Sequence, residues 1–233
     1  MISVGEFFWK GRNKLLHDVG DMELDLEGHK WTLGSIIGDI KRDNYRVYKI
    51  DFKANDIVLD IGGHCGEFAI HLAKKFPFIE VISFEPIFPL YLNFLRNMDA
   101  NGVDNITLNN CAVTGDGRNV NLVSSLNLNT GGSSIYMKDI NADNQIYNVP
   151  SMTLDAIFEQ FEIEKCKLLK IDTEGSEYEI LYNTKYLDRV EYFRAELHEN
   201  SYIRSLNYGM YKLADYVSKH VKDMFFETCY MHE

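Results

Sequence analysis

The sequence has no run approaching the roughly 18 uninterrupted apolar residues that a membrane span needs. Its opening stretch, Met1 to Lys10, carries an acid at Glu6 and does not read as a signal peptide. A cytoplasmic protein is the expectation. Cysteine is sparse: Cys65, Cys111, Cys166 and Cys229 lie far apart with no C-x-x-C pair, a pattern of free thiols in a reducing compartment and not of a disulfide framework. Cys229 and His232 make a lone C-x-x-H, half of a zinc site, so no metal is expected. Positive charge is also lacking. Lys and Arg number 24 against 35 acids, a net charge of -11, and the short basic stretches Lys10 to Lys14 and Lys41-Arg42 are broken by other residues. Such a surface repels a phosphate backbone, which excludes nucleic acid as the expected partner.

What is present is enough for one generous domain. The chain has 233 residues, 45% of them apolar, and can bury a full core without staples. Residues 1–50 are mixed: a strand and turn over Met22 to Gly28, then a second short strand around Arg46 to Phe52. They read as an N-terminal extension or cap on a domain spanning 51–233.

From residue 57 the pattern alternates strand, turn and helix. Strands are expected at Ile57–Ile61, Glu80–Glu85, Ile106–Val113, Lys167–Asp172 and Tyr192–His198, with a further short one within Met224–Met231. Helices are expected at Glu67–Phe76, at about Pro89–Ala100 with Asn101-Gly102 as a left-handed cap, from Ser151 through Phe161, and at about Tyr208–His220. Alternation of this kind specifies a mostly parallel sheet flanked by helices, the Rossmann-like α/β class. Residues 114–150, rich in Asn, Gly and Ser, break the rhythm and read as a loop that is either a functional lid or a hairpin insertion.

Ligands of an open parallel sheet bind at the carboxyl ends of its strands, which directs attention to Asp60-Ile61-Gly62-Gly63-His64-Cys65-Gly66. A dinucleotide fingerprint needs glycine where His64 stands, so that the backbone can approach a pyrophosphate. Asp60 would add a negative charge beside the phosphates. A phosphate-free nucleoside whose methionyl end carries an ammonium and a sulfonium suits the same turn, with Gly62 and Gly66 allowing it to be tight. Glu85, closing the second strand, is placed to accept hydrogen bonds from two ribose hydroxyls, a feature that nicotinamide enzymes share.

The later strands supply acid–base groups. Side chains alternate along a strand, so Lys170 shares a face with Asp172, and Glu196 with His198. They form either a salt-bridged rim or a converging acid–base site. In the second case His198, with an ordinary pKa near neutrality, is the candidate general base. Asp172 is the other candidate, or it orients the acceptor, and Lys170 steadies a developing oxyanion.

In sequence order, Val58-Leu-Asp-Ile-Gly62, Phe84-Glu-Pro86, Asn110-x-Ala112-Val113, Val149-Pro-x-x-Thr153-Leu-Asp155, Leu169-Lys-Ile-Asp-Thr-Glu-Gly-Ser-Glu177 and Glu196-Leu-His198 resemble the FkbM-type methyltransferases over roughly residues 55–200. The resemblance implies a class I methyltransferase fold, S-adenosyl-L-methionine as methyl donor, and O-methylation of a sugar of a surface glycan or its nucleotide-linked precursor, or of a secondary metabolite. It places Asp60, Gly62, Gly63, His64 and Gly66 at the methionyl part of the donor, Glu85 at the ribose, and Asn110 and Ala112 near the adenine. Asp172, Glu196 and His198 then face the acceptor, while Glu174 and Glu177 cap the following helix. Gly63-His64 departs from the Ala-Asn common in the family. The C-terminal part offers few strands, so either the sheet is trimmed or an N-terminal strand completes it. The rival readings are a nicotinamide or nucleotide-sugar enzyme on a similar sheet, and a non-catalytic methyltransferase-like binding subunit. Self-association to a homodimer is left open.

Overall fold

Alternation of side chains along parallel strands divides this molecule into two cores, and the division locates the site. A computed structural model of the chain describes residues 16–19, 22–25, 42–125, 129–135 and 145–230. Its main sheet is built from β3 (Ile57–Ile61), β4 (Glu80–Phe84), β5 (Ile106–Asn109), β11 (Cys166–Ile171), β12 (Val190–Glu199) and β13 (Asp223–Tyr230). All adjacent pairs are parallel, in the order β13-β12-β11-β3-β4-β5. Counted within the sheet this is 3-2-1-4-5-6, the doubly wound order, with its reversal between β3 and β11.

On one face Leu59, Ile61, Phe84, Leu169, Ile171 and Phe193 pack against helices after β10 and beyond. These include α3 (Leu154–Gln160), α4 (Glu177–Tyr182) and α6 (Met210–Val217), with the short α5 (Ser201–Ser205) beside them. On the other face Val58, Val81 and Leu168 pack against α1 (Glu67–Lys75) and against Phe94 of α2 (Phe88–Asn101). Met22 and Leu24, from the hairpin of β1 (Leu16–Val19) and β2 (Met22–Asp25), are buried in this second core. Period two then puts Asp60, Ser83 and Lys170 on the second face, near the carboxyl ends of their strands. Charged groups there are enclosed by apolar neighbours, so they are held by one another.

Several expected elements are found nearly as read. Gly102, at φ +61°, closes α2, and its N–H returns to the carbonyl of Asp99. Thr153 caps α3 by accepting from the N–H of Ala156 at 3.0 Å. The insertion contains a three-stranded antiparallel sheet of β7 (Val120–Ser125), β8 (Asn129–Ser134) and β9 (Gln145–Val149), in the order β8-β7-β9.

Three expectations are corrected and one alternative is resolved. Arg46–Phe52 is not a strand: Val47–Lys49 form a 3-10 turn, because the Asp43 carboxylate accepts from the N–H groups of Val47 and Tyr48 and turns the backbone. Ile106–Val113 is two strands. Asn110 donates its side-chain amide to the carbonyls of Glu85 and Pro86, the chain bends there, and β6 (Ala112–Thr114) leaves the main sheet to pair with β10 (Ser151–Thr153). Residues 151–153 are therefore strand, and α3 starts only at Leu154. Of the two outcomes for the sheet, the trimmed one holds among the described residues: β13 adds a sixth strand, and β1 pairs with β2 alone.

Candidate active site

Two turns meet at the reversal of strand order: residues 62–66 after β3 and residues 172–176 after β11. They lie against each other, since the N–H of Asp172 donates to the carbonyl of Ile61. A Cβ on Gly62, whose φ is +87°, would stand 1.9 Å from the carbonyl oxygen of Asp172. Glycine at position 62 thus serves the approach of two backbones. One on Gly66 would meet the ring of Phe94 at 2.3 Å.

Asp60 is wholly buried. Ser83 donates to its Oδ2 at 2.7 Å, and Lys170 lies 3.2 Å from its Oδ1 and donates to the carbonyl of Gly62 at 2.7 Å. Burial alone would push the Lys170 pKa down, but the charges of Asp60 and Asp172 outweigh it and hold the side chain cationic. Asp60 and Lys170 therefore set the shape of the turn from beneath. His64 and Cys65 fold back toward α1: His64 Nδ1 is 3.4 Å from Glu67 and the Cys65 thiol donates to Glu67 at 3.2 Å. Burial raises the Glu67 pKa, yet His64 prevails and holds it near about 2.

Glu85 stands beside this turn. The N–H of His64 donates to one carboxylate oxygen at 2.9 Å and the N–H of Ile87 to the other at 2.7 Å. Burial nevertheless lifts its pKa to about 7. Asn110 fixes the 85–86 carbonyls from behind, and Ala112 is buried beside Ile87 and Leu90.

The other half of the site is acidic. His198 is 1% exposed, with Nδ1 3.2 Å from Glu177 and Nε2 3.4 Å from Glu174 and 3.8 Å from Glu196. Burial lowers its pKa, but hydrogen bonds with Cys229 and Glu177 and the charges of Glu177 and Glu174 raise it well above the ordinary value. Both ring nitrogens of His198 thus face carboxylates, which favour its charged form. Glu177, the first residue of α4, holds the preceding turn and not the helix end, its Oε1 accepting from the N–H groups of Thr173 and Gly175. Glu174 does not cap. It lies in the turn at φ +54° and faces His198. Burial first, then Asp172, Glu177 and Glu196, lift its pKa to about 8 against the opposing pull of His198.

Tyr45 is the residue that sequence reasoning missed. Its hydroxyl donates to Asp172 at 3.0 Å and its ring packs edge-on against Phe68 at 5.2 Å. Tyr45, Phe68, His71, Lys170, Asp172 and Glu196 line a cavity of about 80 Å³. The insertion reaches the same place, for Ser134 donates to the carbonyl of Glu174 at 2.5 Å.

A doubly wound parallel sheet, an acid closing its second strand beside a glycine turn, and a carboxylate cluster after its fourth and fifth strands define a Rossmann-like methyltransferase. Residues 60–211, more than half of the chain, match the family model described as the Methyltransferase FkbM domain. The chain belongs to the FkbM methyltransferase family, whose methyl donor is S-adenosylmethionine. The protein named Methyltransferase 1 from Beauveria bassiana (strain ARSEF 2860) is 24% identical over 147 residues, 56% of this chain and 59% of that relative. The match thus spans less than two thirds of the relative's length. Among solved structures, M. jannaschii TYW2 in complex with AdoMet is 24% identical with a TM-score of 0.34, over 42% of this chain and 43% of that one. The YcgJ protein from Bacillus subtilis is 21% identical with a TM-score of 0.26, over 34% and 30%. Among the described residues no helix is long and apolar enough to cross a membrane.

Proposed function

We propose that this chain moves the methyl group of S-adenosylmethionine to a hydroxyl oxygen of a sugar, in a glycan or a nucleotide-linked precursor, or of a related polyhydroxylated metabolite. The observation that carries the reading is the meeting of Asp172 and Glu196 in one cavity whose other wall is aromatic, Tyr45 and Phe68, with Glu174 clustered beside Asp172 and His198. Ring faces accept the apolar C–H side of a sugar, and carboxylates accept its hydroxyls.

The residues of the turn fit the donor. Lys170 is committed to Asp60 and to the Gly62 carbonyl, so it is no clamp for a pyrophosphate. The Oδ1 of Asp60 is buried without a hydrogen bond, and the acids Asp60, Glu67 and Glu85 surround the turn. That is the charge a cationic, phosphate-free nucleoside requires. Gly62, Gly63, His64 and Gly66 supply the turn itself, Glu85 receives the ribose hydroxyls, and Asn110 with Ala112 borders the base. When bound, the donor supplies a methyl group on sulfur that leaves as a neutral thioether.

The chain's own residues do the remainder. Asp172, held by Tyr45 and 3.7 Å from Lys170, orients the acceptor hydroxyl. Glu174, in its ionised form, takes the hydroxyl proton as the oxygen attacks, a contribution of roughly 10² to 10⁴ in rate. His198, fixed by Glu177, keeps Glu174 in place. A cytoplasmic enzyme belongs to the same proposal.

The test is transfer from labelled donor to a panel of nucleotide-linked sugars, with calorimetry of the donor alone. Donor binding together with label on a sugar oxygen is the expected result. Binding with label on nitrogen or carbon of an acceptor overturns the hydroxyl assignment, and no donor binding overturns the reading as a whole.

A further inference from the structure

We propose that Glu196, His198 and Cys229 form a binding site for a thiophilic divalent cation, Zn²⁺ by the chemistry of the set. One ligand atom from each of the three lies within 4.8 Å of the other two. Glu196 and His198 are alternate residues of β12 on one face, and Cys229 is the strand-pairing partner of His198 on β13. The three side chains are therefore set by adjacent strands, the rigid placement that a metal site needs.

The geometry around His198 fits a tetrahedral ion. With metal–ligand distances near 2.1 Å, nitrogen and oxygen ligands of tetrahedral zinc stand roughly 3.4 Å apart. His198 Nε2 is 3.8 Å from Glu196 Oε1, close to this spacing, while Glu174 groups with Asp172 beside the same ring. The opposite ring nitrogen, Nδ1, faces the fully buried Glu177 at 3.2 Å. A carboxylate on the far nitrogen of a histidine is the usual support of a metal-ligating imidazole, because it fixes the ring and leaves Nε2 directed at the ion. A set of thiol, imidazole and carboxylate prefers zinc to magnesium, which takes oxygen ligands.

Charge points the same way. Asp172, Glu174, Glu177 and Glu196 gather around His198, whose imidazole gives up its second proton to solvent when the ion binds, as Cys229 gives up its thiol proton. A divalent ion would offset this excess and tie the edge strand β13 to β12 beside the acceptor cavity. The sequence pairs Cys229 with His232, which lies outside the described residues, whereas the fold pairs Cys229 with a histidine 31 positions earlier. The site shares Glu196 and His198 with the acceptor side of the proposed function, and its readout, metal binding, does not depend on methyl transfer.

The test is titration of the metal-free full chain with Co²⁺, followed by absorption spectroscopy, and competition for Zn²⁺ against a chromophoric chelator. One equivalent of Co²⁺ with a thiolate charge-transfer band and tetrahedral ligand-field bands is expected. Cys229→Ser should remove the thiolate band and weaken Zn²⁺ by at least about tenfold, and Glu196→Gln should weaken it while keeping the band. Cys111→Ser serves as the control and should change neither. Absence of a thiolate band in the wild-type protein overturns the proposal, whatever the variants do. A band that survives Cys229→Ser overturns it too, as does Mn²⁺ binding with no affinity for Zn²⁺, which would indicate an oxygen site at Asp172 and Glu174.

Discussion

Lys170 donates to the carbonyl of Gly62 at 2.7 Å while lying 3.2 Å from the buried carboxylate of Asp60. One side chain on β11 therefore holds both the last acid of β3 and the turn that follows it. Replacing it with methionine keeps its length and removes its charge. Asp60 would be left buried with Ser83 alone, and the Gly62 carbonyl would lose its donor. Breaking one partner of a buried pair costs about 3 to 5 kcal/mol. Lys170→Met is expected to lose that much in urea denaturation and to lose donor binding in calorimetry. The double variant Lys170→Met, Asp60→Asn should recover part of the stability, because no uncompensated charge remains. A single variant within 1 kcal/mol of wild type would show that the pair does not organise the turn.

Glu85 ties donor binding to pH. Burial raises its pKa to about 7, although the N–H groups of Ile87 and His64 pull the other way. Ribose hydroxyls donate to a carboxylate, so the ionised form is the one that binds. Below pH 7 the proton must first leave, and affinity falls by up to about tenfold per pH unit. Above pH 7 the dependence levels off. Calorimetry from pH 5.5 to 8.5 should trace this curve, and Glu85→Gln should bind weakly and with a flat profile. A flat wild-type profile would remove Glu85 from the ribose.

Glu174 ties the rate to a higher pH. Its carboxyl, lifted to about 8 by burial and by Asp172, Glu177 and Glu196, accepts a proton only when ionised. With donor and acceptor saturating, kcat is expected to rise with pH and to level off above about 8. Glu174→Gln should lower kcat by roughly 10² to 10⁴ with little change in donor affinity. His198→Gln should also slow turnover, through the position of Glu174. If the His198 variant abolished the rising limb while Glu174→Gln preserved it, the base would be the imidazole after all.

Much of this was legible in the sequence, for reasons particular to the residues. The strands β3, β4 and β11 read as largely apolar runs with an acid at their ends because both of their faces are buried, and Gly102 announced the end of α2. What escaped was set by partners distant in the chain. The 3-10 turn at Val47–Lys49 depends on where the Asp43 carboxylate points. The chemistry of His198 depends on Glu177, Glu174 and Cys229, which residue type alone does not reveal. Tyr45 sits 127 positions before the carboxylate it meets, with no spacing to signal the encounter.

Gly62 tests whether the two turns must touch. Two glycines with positive φ make the comparison: Gly62 at +87°, where an added Cβ would lie 1.9 Å from the carbonyl oxygen of Asp172, and Gly102 at +61°, where nothing lies within 4 Å. Gly102→Ala carries only the left-handed backbone penalty, about 1 to 2 kcal/mol, and should leave donor affinity and turnover alone. Gly62→Ala carries that penalty and also a contact with backbone that no rotamer can relieve. The turn after β3 and the turn after β11 must then separate, which moves Asp172 away from Tyr45 and Lys170. Gly62→Ala is therefore expected to destabilise more than Gly102→Ala in thermal unfolding. Where it remains folded, it should lose both donor binding in calorimetry and label transfer. Equal losses in the two variants would mean that conformation alone requires glycine at position 62, and that the packing of the two strand ends contributes little.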